Sequence, residues 1–301
     1  MFRSIFEDIK QSFNMGNMLT RLIMVNVAVF AIIRLIIAFS GHLQPGAAIE
    51  AHPIIEYLAV PSNFSELIRK PWTIITSMFL HVGFMHILFN MLLLYYFGRI
   101  VGDFLGDRRM LPIYIMAGLV GVIFYLLSDN FLPIGSGGNA IAMGASAAVM
   151  GFLFTATYLS PDYVMHLPLI GPVRIKYIAA FLLFMDLIGT SASNSGGAFA
   201  HLGGVLFGIL YVINLRNGSD LTEPLQNLFH GKKEKKINPK RKTSPLTLVY
   251  HKKKEKKQPQ QPPEVSAESK IDMILDKINK HGIEKLTDAE KEFLNKAGKG
   301  K

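Results

Sequence analysis

Between Met18 and Leu215 the chain runs for long intervals almost free of Asp, Glu, Lys and Arg, and this restricts its fold more than any other feature. A helix of ~20 apolar residues crosses the ~30 Å of bilayer hydrocarbon, so such intervals read as membrane spans. Run length places six of them, at about Leu22–Phe39, Phe84–Val101, Met110–Leu127, Gly144–Leu159, Ile175–Thr190 and Phe199–Leu215. The fold class expected is therefore an all-α membrane protein. The fourth run has roughly 16 residues against the ~20 required, so it should begin below the outer surface. Ahead of it stands Gly-Ser-Gly-Gly-Asn, Gly135 to Asn139. Irregular backbone of that kind is tolerated at membrane depth only beside protein or a water-filled cavity.

Half of the 301 residues are hydrophobic and 18% are charged, with a formal net charge of +10. Such a charge usually points to nucleic acid, but roughly nine of the ten units fall after Leu215, where lysine clusters such as Lys252-Lys253-Lys254 form a tail. The membrane part is close to neutral, so lipids are expected as partners and nucleic acid is not. With no cysteine there is no disulfide framework, no thiolate nucleophile and no Cys-ligated metal.

Orientation follows from the basic residues of the connections. Arg3, Lys10 and Arg21 precede the first span, Arg99, Arg108 and Arg109 follow the second, Arg174 and Lys176 precede the fifth, and the lysine-rich tail follows the sixth. The other side carries Arg69 and Lys70. The positive-inside rule then puts both termini in the cytoplasm, as for a multi-pass protein of a bacterial inner membrane.

Four segments are expected. Residues 1–17 form a cytoplasmic or interfacial segment in which Phe2, Ile5, Ile9 and Phe13 recur at helical spacing, and residues 18–215 form the membrane domain. Residues 216–265 form a basic, Pro/Gln-rich linker, and residues 266–301 a short helical hairpin whose second helix opens with the capping box Thr287-x-x-Glu290. The first connection, Gly41 to Leu80, mixes Tyr57 and Trp72 with Glu56, Glu66, Arg69 and Lys70, and reads as a loop partly embedded in the outer leaflet.

Two strings carry chemistry, Gly144-Ala145-Ser146-Ala147 and Ala200-His201-Leu202-Gly203-Gly204. Polar groups at membrane depth are costly and mark function by default. Peptide hydrolysis by serine needs a base within reach of its hydroxyl and donors aimed at the oxyanion, and Ser146 with His201 supplies the first pair. The short serine side chain demands close helix approach, and His201, Gly204 and Gly208 share one helical face as a G-x-x-x-G groove. His86 and Asn90, four apart, share another face and each offers an N–H. His81, five residues before His86, is expected to anchor a loop. A metal site is the rival use of these histidines, but no H-E-x-x-H string is present, so no metal or other cofactor is expected. Asp186 on the fifth span has three readings: orienting His201, pairing with Arg34, or hydrogen-bonding backbone within the bundle, the structural roles being preferred.

In combination these residues match a known pattern. Thr76-Ser77-Met78-Phe79-Leu80-His81 through His86 and Asn90 to Tyr96-Phe97-Gly98, the Gly-Ala-Ser at Gly144–Ser146, and Ala200-His201-Leu202-x-Gly204-x-x-x-Gly208 resemble the rhomboid intramembrane serine proteases over about Met18 to Leu215. The resemblance implies a six-helix rhomboid-like bundle and a Ser146–His201 dyad without an acidic third member. It also implies an oxyanion site from the Ser146 backbone N–H with His86 and Asn90. The expected substrates are transmembrane proteins, cleaved near the extracytoplasmic surface through an acyl-enzyme. The chain departs from the family pattern at Ala147, where glycine is usual, at Met150, where an aromatic residue often stacks on the base, and at Thr73, where an arginine commonly follows the loop tryptophan. The alternative is a catalytically silent relative that binds and escorts transmembrane helices. Inactive relatives typically lose the serine or the histidine, and this chain keeps both. The sequence assigns no oligomeric state.

Overall fold

A computed structural model describes residues 16–40, 49–133, 138–167, 170–188 and 195–230, and, nearer the C-terminus, 274, 277, 284 and 286–298. The amphipathic pattern of residues 2–13, most of the Gly135–Asn139 string and the lysine- and proline-rich stretches lie outside the described residues. The chain divides into two compact units, residues 1–235 and 236–301.

In the first unit the order is α1 (Met18–Ser40), α2 (Pro53–Leu58), β1 (Val60–Pro61), α3 (Phe64–Arg69), α4 (Thr73–Thr76), α5 (Phe84–Leu105), α6 (Met110–Phe131), β2 (Ile141–Ala142), α7 (Ser146–Leu159), β3 (Val164–Leu167), β4 (Gly171–Arg174), α8 (Ile175–Ile188), α9 (Ser195–Arg216) and α10 (Glu223–His230). Among the described residues four helices, Met18–Ser40, Phe84–Leu105, Asp107–Phe131 and Gly196–Arg216, are long and apolar enough to cross a membrane, which makes this a multi-pass membrane protein. The helices of the fourth and fifth expected spans, α7 and α8, are shorter, with 14 residues each.

A helix that is apolar on all sides has to be surrounded, and α7 is that helix. Every residue from Ala147 to Thr157 is buried. It is enclosed chiefly by α9, α6 and α5. Two helices lie at the edge of this core. α1 leaves Ile32, Leu35 and Ile36 exposed, and α8 buries only Ile175 and Ala179 among its residues while exposing Phe181, Phe184 and Met185. These apolar faces suit lipid as solvent.

A polar knot ties the edge to the centre. The Tyr114 hydroxyl on α6 donates to the Met78 carbonyl at 2.7 Å, and the Asn26 amide on α1 donates to the Tyr114 oxygen at 3.2 Å and to the Leu22 carbonyl at 2.9 Å. Tyr114 and Asn26 are both fully buried. Where no water competes, satisfying such groups internally is a condition of the fold.

The first connection is more ordered than its reading as a loop. It holds three short helices, and the Asn63 side chain caps one of them by accepting from the Ser65 and Glu66 N–H groups at 2.9 and 3.2 Å. Helices of four to six residues expose no apolar repeat, which is why the sequence pattern hides them. Trp72 donates its indole N–H to the Tyr57 carbonyl at 2.9 Å and packs on the Tyr57 ring at 5.0 Å. The connection then pairs with the segment that leads into α7: Val60 lies opposite Ala142 and Pro61 opposite Ile141 in an antiparallel register. The Ser62 N–H extends the pairing to the Ala140 carbonyl at 2.9 Å.

At the other ends of the helices, Arg109 pairs with Asp220 at 2.8 Å, and Asp220 also accepts from Thr222 and Gln226. α10 begins just beyond, inside the stretch that composition assigns to a linker. Burial would raise the Asp220 pKa, but the hydrogen bonds from Thr222, Arg109 and Gln226 outweigh it and hold the carboxyl below its usual range. In the second unit, α11 (Asp288–Gly298) opens with a reciprocal capping box. The Thr287 N–H donates to Glu290 Oε2 at 2.7 Å, and the Glu290 N–H donates to Thr287 Oγ1 at 3.4 Å.

Two stability predictions follow from these contacts. Tyr114→Phe leaves the Met78 carbonyl and the Asn26 amide without their shared partner and should cost about 1–2 kcal/mol, read as a lowered melting temperature in detergent. An unchanged melt would remove the knot from the account. Asp220→Asn should lower the melting temperature at neutral pH. The folded carboxyl titrates below its unfolded value, so its contribution is complete above the ordinary carboxylate pKa and fades as pH falls through the folded one. The gap between variant and wild type should therefore close in acid, and a gap independent of pH would contradict this.

Candidate active site

Ser146 is the first residue of α7, and three features of the preceding segment fix it there. The Gly144 N–H donates to the Ser77 carbonyl at 2.8 Å, and the Ala145 N–H donates to His81 Nε2 at 3.3 Å. His81 is completely buried, so its ring works as an internal acceptor for this turn. Gly144 has φ +123°, a conformation that L side chains rarely adopt. A Cβ on Gly144 would also stand 2.9 Å from Cε1 and 3.0 Å from Nε2 of His86. Glycine is required twice over, by the turn and by the imidazole beside it.

The second group arrives on α9. His201 Nε2 lies 2.7 Å from Ser146 Oγ. This contact depends on how closely α9 lies on α7. A Cβ on Gly208 would fall 2.6 Å from the Gly151 carbonyl oxygen and 2.9 Å from the Thr155 nitrogen, and one on Gly204 would collide with the Ala147 carbonyl. The G-x-x-x-G groove thus receives the backbone of α7 itself, the close approach small residues permit between membrane helices.

Around this pair stand the other residues singled out from sequence. His86, in the first turn of α5, is exposed at the mouth of the site, with its ring edge-on to His81 at 5.1 Å between centroids. Asn90 is buried one turn further along α5, where its amide nitrogen donates to the His86 carbonyl at 2.9 Å. An amide nitrogen carries two N–H groups, so one remains for another acceptor. Met150 is buried in α7 one turn after Ser146. A cavity of about 40 Å³ adjoins Ser146, lined in part by Met78, Tyr125, Met143, Gly144 and Ala200. Since ~10–15 Å³ accommodates a water, there is room for water beside the hydroxyl.

One neighbour differs from the preferred sequence reading. Asp186 on α8 pairs with His201 rather than with Arg34: its Oδ1 lies 2.6 Å from His201 Nδ1. Of the three readings of Asp186, the contact is the one beside the imidazole. The available signal was a carboxylate in an apolar helix, which calls for a partner. Choosing that partner takes knowing which side of α8 turns toward His201, which residue pattern does not supply. Among the described residues no group of three or more His, Asp or Glu is placed to hold a metal.

Chemically, the arrangement joins a hydroxyl, an imidazole in contact with it, and the N–H groups of a helix start, which have no intrahelical acceptor. That is the set nucleophilic acyl transfer needs.

Comparison with known proteins agrees with this chemistry. Residues 69–218 match the profile of the rhomboid domain, and residues 264–299 match that of a family of unknown function, DUF6576. The chain is 30% identical over 157 residues to RHOMBOID-like protein 12, mitochondrial, of Arabidopsis thaliana, a match covering 48% of this chain and 47% of that protein. It is 25% identical over 190 residues to the rhomboid-type protein YdcA of Bacillus subtilis, 61% of this chain and 88% of that protein. With the rhomboid protease GlpG of Yersinia pseudotuberculosis it shares 27% identity over 158 residues, 52% of either chain. It thus spans about half the length of the plant and Yersinia relatives. From the turn that ends the first connection to the close of α9, the matched residues hold the whole Ser146–His201 arrangement, and the chain belongs to the rhomboid family.

Proposed function

We propose that this protein is an intramembrane serine endopeptidase that cleaves transmembrane-helix substrates near the extracytoplasmic membrane surface. The observation that carries the reading is the 2.7 Å contact between Ser146 Oγ and His201 Nε2 at the half-buried start of α7. Ser146 attacks the scissile carbonyl as His201 takes its proton. The tetrahedral oxyanion is held by the Ser146 N–H, the His86 ring and the free N–H of the Asn90 amide. Collapse of that intermediate releases the amine with the proton from His201, and water drawn through the cavity beside Ser146 hydrolyses the acyl-enzyme. His81 and Gly144 hold the turn, and Gly204 and Gly208 hold the helix spacing.

The remaining readings complete this picture. α1, α5, α6, α7, α8 and α9 form a six-helix membrane domain with both termini cytoplasmic, as the basic connections require. The exposed row Phe181, Phe184 and Met185 on α8 faces the substrate helix. The host is a bacterial inner membrane, and the lysine-rich tail contacts anionic lipid of its cytoplasmic leaflet.

The test uses purified full-length protein in detergent with a tagged single-span substrate. Wild type should cleave it, and Ser146→Ala and His201→Ala should each lower kcat by on the order of 10³-fold or more. Cleavage that persists in Ser146→Ala would overturn the proposal, and a wild type that binds the helix without cutting it would favour the silent escort. Removing one oxyanion donor by His86→Ala or Asn90→Ala should lower kcat by roughly 10²-fold with little change in KM. An effect confined to KM would assign these residues to substrate binding instead.

A further inference from the structure

We propose that Asp186 is a positioning residue for His201, so that this chain works with a Ser146–His201–Asp186 relay rather than an unassisted pair. The inference rests on the peptidase reading and adds a third residue to it. The two nitrogens of the His201 ring are engaged on opposite edges: Nε2 lies 2.7 Å from Ser146 Oγ, and Nδ1 lies 2.6 Å from Asp186 Oδ1. An ionised carboxylate only accepts hydrogen bonds, so the Nδ1 proton must point toward Asp186. The neutral imidazole is then held in the tautomer whose Nε2 carries a lone pair, and that lone pair faces the hydroxyl to be deprotonated. Without the carboxylate the ring is free to place its proton on Nε2, where it cannot act as base.

The surroundings leave this task to Asp186. Its side chain is 18% exposed and that of His201 23%, so the contact is shielded from most competing water. Among the described residues, the titratable groups facing the ring are Asp186 from α8 and His86 from α5, which lies near enough for a charge on His201 to reach it. α7 contributes the Ser146 hydroxyl, and α6 brings the Tyr125 ring to the neighbouring turn of α9 at Gly196. Of these, only Asp186 carries a carboxyl group. It is therefore the group that offsets the positive charge the imidazole acquires.

In the acylation step the Ser146 Oγ–H bond breaks and the proton passes to His201 Nε2, while a bond forms between Oγ and the substrate carbonyl carbon. The ring becomes imidazolium, and Asp186 remains ionised against it. When the C–N bond breaks, the Nε2 proton leaves with the amine and the ring returns to its starting tautomer. Water repeats the sequence, giving one proton to Nε2, which is returned to Ser146 Oγ as the acid departs.

The full chain in proteoliposomes separates this role from a purely structural one, with a tagged single-span helix as substrate and pH varied between about 5 and 9. Asp186→Asn should lower kcat by on the order of 10³-fold while KM stays within about threefold. The pH profile of its residual kcat should also change in its acidic limb, which a merely structural loss would leave in place. Asp186→Glu should recover part of the loss. A kcat within about threefold of wild type, or a loss that leaves the acidic limb in place, would overturn the proposal. If wild type and Ser146→Ala both failed to cleave, the peptidase reading would fall instead. The positioning claim would then be decided by the nitrogen-15 spectrum of His201, identified by its disappearance in His201→Ala. An Nδ1-protonated tautomer in wild type that is lost in Asp186→Asn supports it, and an identical tautomer in both overturns it.

Discussion

The close approach of α9 to α7 is the contact on which the rest of this site depends. A serine side chain reaches little beyond its own backbone, so a histidine on a neighbouring helix meets it only if the two backbones nearly touch. Gly204 and Gly208 make that possible by presenting bare backbone to Ala147, Gly151 and Thr155. Neither helix gains from the hydrophobic effect by this contact while lipid is the alternative, and packing and polar contacts have to hold it. The completeness of the burial of α7, from Ala147 to Thr157, supplies that packing.

A polar site inside an apolar bundle also needs every participant to find a partner. The turn ahead of Ser146 is held by the Ser77 carbonyl and the His81 ring, His201 is engaged on both nitrogens, and the Asn90 amide is tied to the His86 carbonyl. The Tyr114 network anchors the Met78 carbonyl, next in sequence to Ser77, and so links the packing of α1 on α6 to the floor of the site. His81 Nδ1 is an exception, buried with no hydrogen-bond partner among the described residues, in a network otherwise favoured by its mutual bonds. Asp186 adds a further consequence. It sits on α8, whose buried residues are Ile175 and Ala179 near its other end, so its bond to His201 holds the outer part of a lightly packed helix against the site.

Much of this was legible in the residues. The helices that begin at Phe84, Met110 and Ile175 follow from apolar run length alone, and α1, α5, α6 and α9 extend the expected runs by about a turn at one end. The His201–Gly204–Gly208 face was readable because helical spacing converts sequence separation directly into geometry. Three things were not readable. The short helices between Pro53 and Thr76 are each too brief to show a period. The hairpin of Val164–Leu167 with Gly171–Arg174 lies in a connection whose residues have no sustained alternation. The partner of Asp186 depends on which side of α8 turns toward His201, and an apolar helix presents similar residues all round. Ser146, His201, His86 and Asn90 could be named from pattern, and so could Asp186, but pattern could not choose the reading that sets it against the far side of the imidazole.

The account stands most directly on the reactivity of one hydroxyl. Full-length protein in lipid, treated with a fluorophosphonate and digested for peptide mass spectrometry, should carry a single phosphonyl adduct on Ser146 in wild type and almost none in His201→Ala. An adduct on a different residue, no adduct, or equal labelling with and without the histidine would mean that these two groups do not act as a nucleophile and its base.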